Sequence, residues 1–187
     1  MNLSTSIVNS IQCTLKAIYR YGERTHGLKK LDFNVIKFSQ KSKTKEPLTL
    51  EKEMIIWQYC LNNKERISLA MSLGLYAGLR IGEICALKWE DIDLENSMIS
   101  ITKTVQRLKS ENHEQKTQLY ILEPKSTSSI RSVILPDFLT EYLKKYNDLY
   151  NKDFFILSNK EIPVDPRIIQ KNFRKICKAN DIDATFH

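Results

Sequence analysis

Apolar residues recur at every third or fourth position near the start of the chain, which is the spacing of one face of a helix. Ser4 or Thr5 is suited to cap the start of that helix, and Gly27 is suited to end it. A single amphipathic helix of this kind needs a partner to cover its apolar face. The apolar positions are Ile7, Val8, Ile11, Leu15, Ile18 and Tyr19.

The same spacing predicts five further helices. Glu51 and Glu53 stand in the first turn of the earliest of them, where acidic side chains suit the helix dipole. Pro136 suits the first position of a later helix. The five are expected from Thr49 to about Leu61, from about Lys64 to Tyr76, from Ile81 to a point before Trp89, from Pro136 to about Tyr150, and from Pro166 onward.

Alternation of apolar and polar residues replaces the helical spacing in the middle of the chain and predicts strands at 98–101, 118–122 and 131–135. The charged stretch 106–117 is expected to be a long exposed hairpin loop between the first two strands. A turn at 123–129 is expected to join the last two. Three short antiparallel strands edged by helices on both sides predict an α+β domain that is mainly helical, with a small three-stranded sheet.

Composition points to a polyanionic partner. The 187 residues carry 29 basic and 22 acidic side chains, a net charge of +7, which would fit DNA, RNA or an anionic membrane surface. No apolar run approaches the roughly 20 residues that a membrane span requires, and the N-terminus lacks a signal-peptide pattern. We therefore expect an intracellular, cytoplasmic protein with no membrane partner and no small-molecule substrate.

The cysteines are scattered without a Cys-x-x-Cys pair, and the three histidines are far apart in the sequence. Each cysteine stands in an apolar helical context, so we expect four buried thiols, no structural metal and no cofactor. The cysteines are Cys13, Cys60, Cys85 and Cys177.

A polar stretch over residues 39–47 ends in proline and predicts a linker. Its lysines Lys41, Lys43 and Lys45 would either contact DNA phosphates, with an affinity that fades as salt rises, or simply be solvated. The helix from Pro166 likewise has a basic outer side that includes Arg174 and Lys175. That face would either meet DNA or be solvated.

Arg80 stands where the apolar pattern of one helix breaks and the next begins. A guanidinium held by packing on both sides can meet a phosphate with two parallel hydrogen bonds and keeps its proton. Glu83 follows at i+3, close enough to orient Arg80. From spacing alone, an ordinary helix-turn-helix with a surface ion pair is the more common explanation of these residues.

The residues around Arg80 carry a resemblance. Gly78-Leu79-Arg80-Ile81-Gly82-Glu83-Ile84, followed by Leu87, Trp89 and Asp91-Ile92-Asp93, resembles the first signature box of the tyrosine recombinases, the phage-integrase family. The likeness is to the integrases of phages and conjugative transposons.

Two later stretches resemble the same family. The pattern Pro-Lys-x-x-x-Ser-x-Arg from Pro124 to Arg131 is similar to the hairpin that carries its catalytic lysine, which would be Lys125. Thr185-Phe186-His187 is similar to the start of the second signature box. The sequence stops there, without counterparts of the second arginine, the later histidine or tryptophan, and the tyrosine nucleophile.

The resemblance implies exchange of DNA strands through a 3′-phosphotyrosyl intermediate, without a metal or cofactor. Arg80 would neutralise the phosphate, Lys125 would protonate the departing 5′ oxygen, His187 would assist proton movement or hold the phosphate, and Glu83 would brace Arg80. The implied partner is double-stranded DNA, with a homo-oligomer on DNA in the full-length parent. Further DNA contacts are expected from Lys41, Lys43, Lys45, Arg131, Arg174 and Lys175.

The resemblance also implies a domain organisation. Residues 1–38 would be a remnant of a helical core-binding domain, or an N-terminal helix packed on the main domain. Residues 39–47 would be a linker, and 48–187 the N-terminal two-thirds of a catalytic domain whose C-terminal part is missing. We expect such a fragment to be inactive. Alternatives are a DNA-binding remnant that competes with or regulates a full recombinase, and a structural or regulatory helical protein with a coincidental arginine box.

Overall fold

The computed structural model describes residues 3–29, 47–110, 115–123, 130–147 and 151–186. The chain forms two compact units, Met1–Pro47 and Leu48–His187. The helices are α1 (Thr5–His26), α2 (Leu50–Asn62), α3 (Arg66–Tyr76), α4 (Ile81–Ala86), α5 (Asp137–Asn147) and α6 (Pro166–Ala179), and the strands are β1 (Ile92–Asp93), β2 (Met98–Ile101), β3 (Thr104–Lys109), β4 (Thr117–Leu122) and β5 (Arg131–Ile134).

In the first unit, α1 confirms the predicted N-terminal helix and both of its ends. The backbone N–H of Ile7 donates to the Ser4 hydroxyl at 3.4 Å. Gly27 ends the helix in the left-handed conformation, with φ 62°, which glycine adopts without strain. Apolar side chains of α1 are exposed, among them Leu15 and Ile18. The assignment of this unit to a core-binding domain stays a prediction.

The core of the second unit is built around α3. Seven consecutive residues of this helix, from Ile67 to Leu73, are buried, as expected of a helix that is covered on every side. The buried residues of α5 and α6 recur at helical spacing and face the same core. They are Leu139, Tyr142, Leu143 and Tyr146 of α5 and Ile169, Phe173 and Cys177 of α6.

The strands form two separate antiparallel groups. One is a three-stranded sheet in the order β1-β2-β5, and the other is a hairpin of β3 and β4. In the sheet, Ile99 pairs with Val133 and Ile101 pairs with Arg131. The α+β fold class, mainly helical with a small antiparallel sheet, is confirmed.

Two details of the strand prediction are wrong. Residues 104–109, assigned mostly to a loop, form β3, so the loop of this hairpin is shorter than expected. Only Val105 of β3 is buried, and a strand held by backbone pairing with so little apolar alternation gives a weak signal. In addition, the described pairing joins β4 to β3 and β5 to β2, so the strands before and after the expected turn belong to different sheets; residues 124–129 of that turn lie outside the described part of the chain.

Two side-chain positions also differ from expectation. Cys60, Cys85 and Cys177 are buried as predicted, and burial raises the pKa of the Cys60 thiol to about 12. Cys13 is exposed, because α1 leaves most of its surface to solvent. Ile168 of α6 is also exposed, although an apolar side chain next to the buried Ile169 is expected to face the core.

Candidate functional site

Arg80 lies in a tight connection between α3 and α4. Gly78 takes φ 62°, a left-handed conformation that favours glycine, and reverses the chain after α3. The next residue, Leu79, is buried at 1% exposure, and its backbone N–H donates to the Leu73 carbonyl. A buried leucine on one side and α4 on the other therefore fix the backbone of Arg80.

Glu83, in the first turn of α4, accepts two hydrogen bonds from Arg80. The backbone N–H of Arg80 donates to Glu83 Oε2 at 2.9 Å, and its side-chain Nη1 donates to Glu83 Oε1 at 3.0 Å. The side chain of Glu83 is only 7% exposed, whereas that of Arg80 is 71% exposed. The buried carboxylate thus holds one side of the Arg80 guanidinium, and the rest of that guanidinium is exposed to solvent.

Arg131, the first residue of β5, binds the same carboxylate although it is 48 residues away along the chain. Its Nη1 donates to Glu83 Oε1 at 2.9 Å and its Nη2 donates to Glu83 Oε2 at 2.8 Å. This is a bidentate fork, the geometry in which an arginine binds a carboxylate most strongly. We call the three residues Arg80, Glu83 and Arg131 the carboxylate clasp.

The clasp keeps Glu83 ionised. Burial by itself would raise the pKa of this carboxyl, but hydrogen bonds from Arg131 and from the backbone and side chain of Arg80 outweigh burial and lower the pKa from 4.5 to about 2. The hydrogen bond to Glu83 in turn raises the pKa of Arg131. One carboxylate between two guanidiniums leaves a net charge of +1, which suits an anionic ligand.

Gly82 lets α4 lie directly against β3. A Cβ at this position would stand 2.5 Å from Thr104 Oγ1 and 2.9 Å from the Val105 carbonyl oxygen, closer than side chains tolerate. The backbone contact helps hold the short helix that carries Glu83.

The end of the described chain packs against α3. A Cβ on Gly74 would come within 2.9 Å of the Phe186 ring, and that ring meets Phe173 of α6 edge to face at a centroid distance of 5.3 Å. Phe186 thereby joins the core through α3 and α6.

A second ionic contact fastens the β3–β4 hairpin to α6. Arg107 Nε donates to Asp165 Oδ2 at 2.7 Å, and Arg107 Nη1 donates to the Thr117 carbonyl at 3.1 Å. Asp165 also caps α6, because its Oδ1 accepts the backbone N–H of Arg167 at 3.0 Å.

The sequence-predicted residues divide into three groups. Arg80 and Glu83 lie together as expected. Arg174 and Lys175 are exposed on α6, and Arg131 contacts Glu83; their predicted role in DNA binding stays a prediction. The remaining predicted residues lie outside the described part of the chain, namely Lys41, Lys43, Lys45, Lys125 and His187.

Sequence reasoning missed two contacts, the Arg131–Glu83 fork and the Arg107–Asp165 pair. Arg131 alternates with Val133 in β5, and that alternation indicates that Arg131 faces the covered side of the sheet. Its partner could not be identified from one sequence, since the pairing depends on how β2 and β5 align with α4.

Within the described ranges, no group of three or more His, Cys, Asp or Glu side chains is placed to hold a metal ion. Those same ranges contain no helix with the length and apolar character needed to cross a membrane.

Two solved integrase structures share this fold. A solved structure of the Tn1549 transposon integrase in complex with transposon right end DNA superimposes with a TM-score of 0.78 at 21% identity, covering 98% of this chain and 62% of that one. A lambda integrase dimer bound to a COC′ core site superimposes with a TM-score of 0.64 at 18% identity, covering 98% of this chain and 49% of that one.

Residues 46–187 match the model of the phage integrase family, and the chain belongs to that family. Prophage integrase IntR of Escherichia coli K12 is 32% identical over 123 residues, which cover 64% of this chain and 24% of that protein. The ICEBs1 integrase of Bacillus subtilis 168 is 26% identical over 201 residues, covering 96% of this chain and 50% of that protein. The chain thus spans half or less of the length of these relatives.

Proposed function

We propose that this chain is part of a site-specific DNA recombinase that cuts and rejoins DNA through a 3′-phosphotyrosyl intermediate. Membership of the phage integrase family supports this reaction class, and the two superimposed integrases described above are both complexes with DNA. The partner is double-stranded DNA, on which the full-length parent assembles as a homo-oligomer. Its site of action is the cytoplasm.

The observation that carries the proposal is the exposed but anchored guanidinium of Arg80. A guanidinium has five N–H donors, and one nitrogen of Arg80 is engaged by Glu83. Donors on the exposed part of the group are left to bind two oxygens of a phosphate side by side. Because Glu83 is buried and ionised, the Arg80 guanidinium is oriented before DNA arrives.

Such an arrangement supplies electrostatic stabilisation. As a nucleophile attacks the phosphorus atom, negative charge grows on the non-bridging oxygens, and a donor already in place stabilises that charge without reorganisation. In this proposal Lys125 gives a proton to the departing 5′ oxygen and His187 assists proton movement or holds the phosphate.

The nucleophile is not assigned to any residue of this chain. The last tyrosine in the sequence is Tyr150, which precedes α6, and in the family the nucleophile follows the second signature box that His187 begins to match. We therefore propose that these 187 residues bind DNA phosphates but do not cleave DNA on their own.

The basic side of α6 supports a further, less specific contribution to DNA binding. Five exposed cations on this helix would neutralise backbone phosphates and release counterions, so their effect would weaken as salt rises. They are Arg167, Lys171, Arg174, Lys175 and Lys178. This face also favours a second candidate function, a DNA-binding module that competes with a full recombinase and performs no chemistry.

Duplex binding tests the proposal. Fluorescence anisotropy of a labelled duplex of about 30 base pairs would be measured from about 50 to 200 mM salt, a range over which phosphate contacts alter affinity strongly. Arg80→Ala should weaken binding about tenfold, as expected for loss of charge-assisted hydrogen bonds. The matched control is Arg66→Ala, an exposed arginine at the opposite end of the 11-residue α3, about 15 Å along the helix.

The outcomes separate the candidates. An affinity loss in Arg80→Ala but not in Arg66→Ala supports a recombinase phosphate site. Affinity that falls with salt yet is unchanged in Arg80→Ala would favour the competing DNA-binding module. An absence of duplex binding even at low salt would contradict both.

A further inference from the structure

The guanidinium of Arg131 is already hydrogen-bonded within the protein, which distinguishes it from a side chain that is available to bind DNA. Both of its terminal nitrogens are engaged, one with each oxygen of Glu83, at 2.9 and 2.8 Å. Its side chain is 31% exposed, less than half the value for Arg80. The end of this guanidinium that best fits a phosphate is therefore occupied by a carboxylate of the same chain.

Among the residues that the structure describes, four hydrogen bonds meet at the Glu83 carboxylate, two at each oxygen. Oε1 accepts one bond from the Arg80 side chain and one from Arg131, and Oε2 accepts one from the Arg80 backbone and one from Arg131. Without Arg131, each oxygen would keep a single bond, and both remaining bonds would come from Arg80. The Glu83 carboxylate would then have no hydrogen bond from β5, and its plane could rotate more freely.

Strand pairing holds the backbone of Arg131 in place. Its backbone pairs with Ile101 of β2, a residue only 2% exposed. Arg131 also begins β5 two residues after the stretch 124–129, which contains Lys125. The fork thus ties the chain that follows that stretch to the carboxylate that orients Arg80.

We infer that Arg131 is a positioning residue: it fixes the Glu83 carboxylate against the sheet, and through Glu83 it sets the direction in which Arg80 meets a DNA phosphate. This inference rests on the proposed function, because it takes Arg80 as the phosphate ligand. Arg131 was predicted from the sequence to contact DNA directly; in this inference it acts on DNA binding indirectly, through Glu83 and Arg80. The low pKa of Glu83 agrees with it, since the carboxylate remains charged throughout the range in which DNA binding is measured.

Arg131→Lys separates the two roles. Lysine keeps a positive charge for a phosphate but lacks the planar fork that binds both carboxylate oxygens. A positioning role predicts that Arg131→Lys weakens duplex binding as much as Arg131→Ala does, to within about twofold, by loss of the fork. A direct phosphate contact predicts that the lysine variant keeps most of the wild-type affinity.

A double-mutant cycle with Arg80→Ala gives an independent answer. If Arg131 acts through Arg80, the Arg131→Ala change should have no further effect on affinity once Arg80 is alanine. The slope of log affinity against log salt should fall by about one for Arg80→Ala and by nothing more for the double variant. Effects that multiply, with a second fall in slope, would overturn the inference while leaving the proposed function intact.

A measurement without DNA keeps the inference testable even if the proposed function fails. The side-chain ¹⁵Nε resonance of Arg80 reports how freely this guanidinium moves, and circular dichroism confirms that each variant is folded. Arg131→Lys should increase the motion of Arg80, whereas Arg66→Lys should not. An Arg80 signal that is unchanged in folded Arg131→Lys would contradict the positioning role.

Discussion

The carboxylate clasp and the basic face of α6 both present positive charge, but they hold it differently. In the clasp, the side chain of Glu83 is 7% exposed and accepts hydrogen bonds from two guanidiniums at 2.8 to 3.0 Å. On α6, Arg174 and Lys175 are exposed side chains on a helical surface. Fixed charge can select the geometry of one phosphate, whereas solvated charge adds affinity without geometry.

This difference sets how each region should respond to substitution. Changes in the clasp should affect folding stability, acid sensitivity and DNA binding together, because one buried carboxylate serves all three. Changes to the exposed cations Arg174 and Lys175 of α6 should leave folding stability almost unaltered and should affect the strength and salt dependence of DNA binding.

The largest effect is expected from Glu83→Ala. It removes the partner of Arg80 and Arg131 and leaves two cations facing each other around a vacated interior position. We expect the free energy of unfolding to fall by about 2 kcal/mol or more, the range for lost hydrogen bonds to charged groups. Urea denaturation measures this change. Glu141→Ala, which removes an exposed carboxylate paired with Lys144, is the control and should change stability by less than about 1 kcal/mol.

Gly82→Ala should have the next largest effect. The added Cβ would meet Thr104 Oγ1 at 2.5 Å and the Val105 carbonyl oxygen at 2.9 Å, so α4 must move away from β3. We expect a loss of about 1–3 kcal/mol in the free energy of unfolding, typical of overpacking. A Gly82→Ala protein as stable as wild type would show that α4 does not depend on this close approach.

Acid should weaken the clasp in a defined range. The folded pKa of Glu83, about 2, is below its ordinary value of 4.5, so its contribution to stability is complete above about pH 4.5 and is lost as the pH falls toward 2. The stability difference between wild type and Glu83→Gln, measured by urea denaturation from pH 7 to pH 3, should therefore be constant at first and then shrink. A difference that stays the same down to pH 3 would contradict the strong pairing of Glu83.

The smallest effect on stability is expected on α6. Arg174→Ala and Lys175→Ala should each change the free energy of unfolding by less than about 0.5 kcal/mol, as is usual for exposed positions. Each should also reduce the slope of log DNA affinity against log salt by about one, if it contacts a phosphate. A slope identical to wild type in the double variant would remove α6 from the DNA interface.

Contacts between residues that are close along the chain could be predicted from the sequence. Arg80 and Glu83 are three residues apart, so their pairing follows from local helix geometry. The helices were predictable for a similar reason, since their apolar faces repeat within a short window.

The contacts that escaped prediction join residues distant along the chain. The Arg131–Glu83 fork requires β5 to pair with β2, and alternation of residues does not state which strand is the neighbour. In the same way, β1 has only two residues and β3 has a single buried side chain, so neither gave a clear strand signal.

The most direct test of the account is whether DNA contacts Arg80 itself. The side-chain ¹⁵Nε resonance of Arg80 would be followed while duplex DNA is added to the full chain at low salt, with that of Arg66 as the internal control. We predict that the Arg80 resonance shifts and saturates along with binding, while the Arg66 resonance does not move. Saturated duplex binding with an unmoved Arg80 resonance would contradict it.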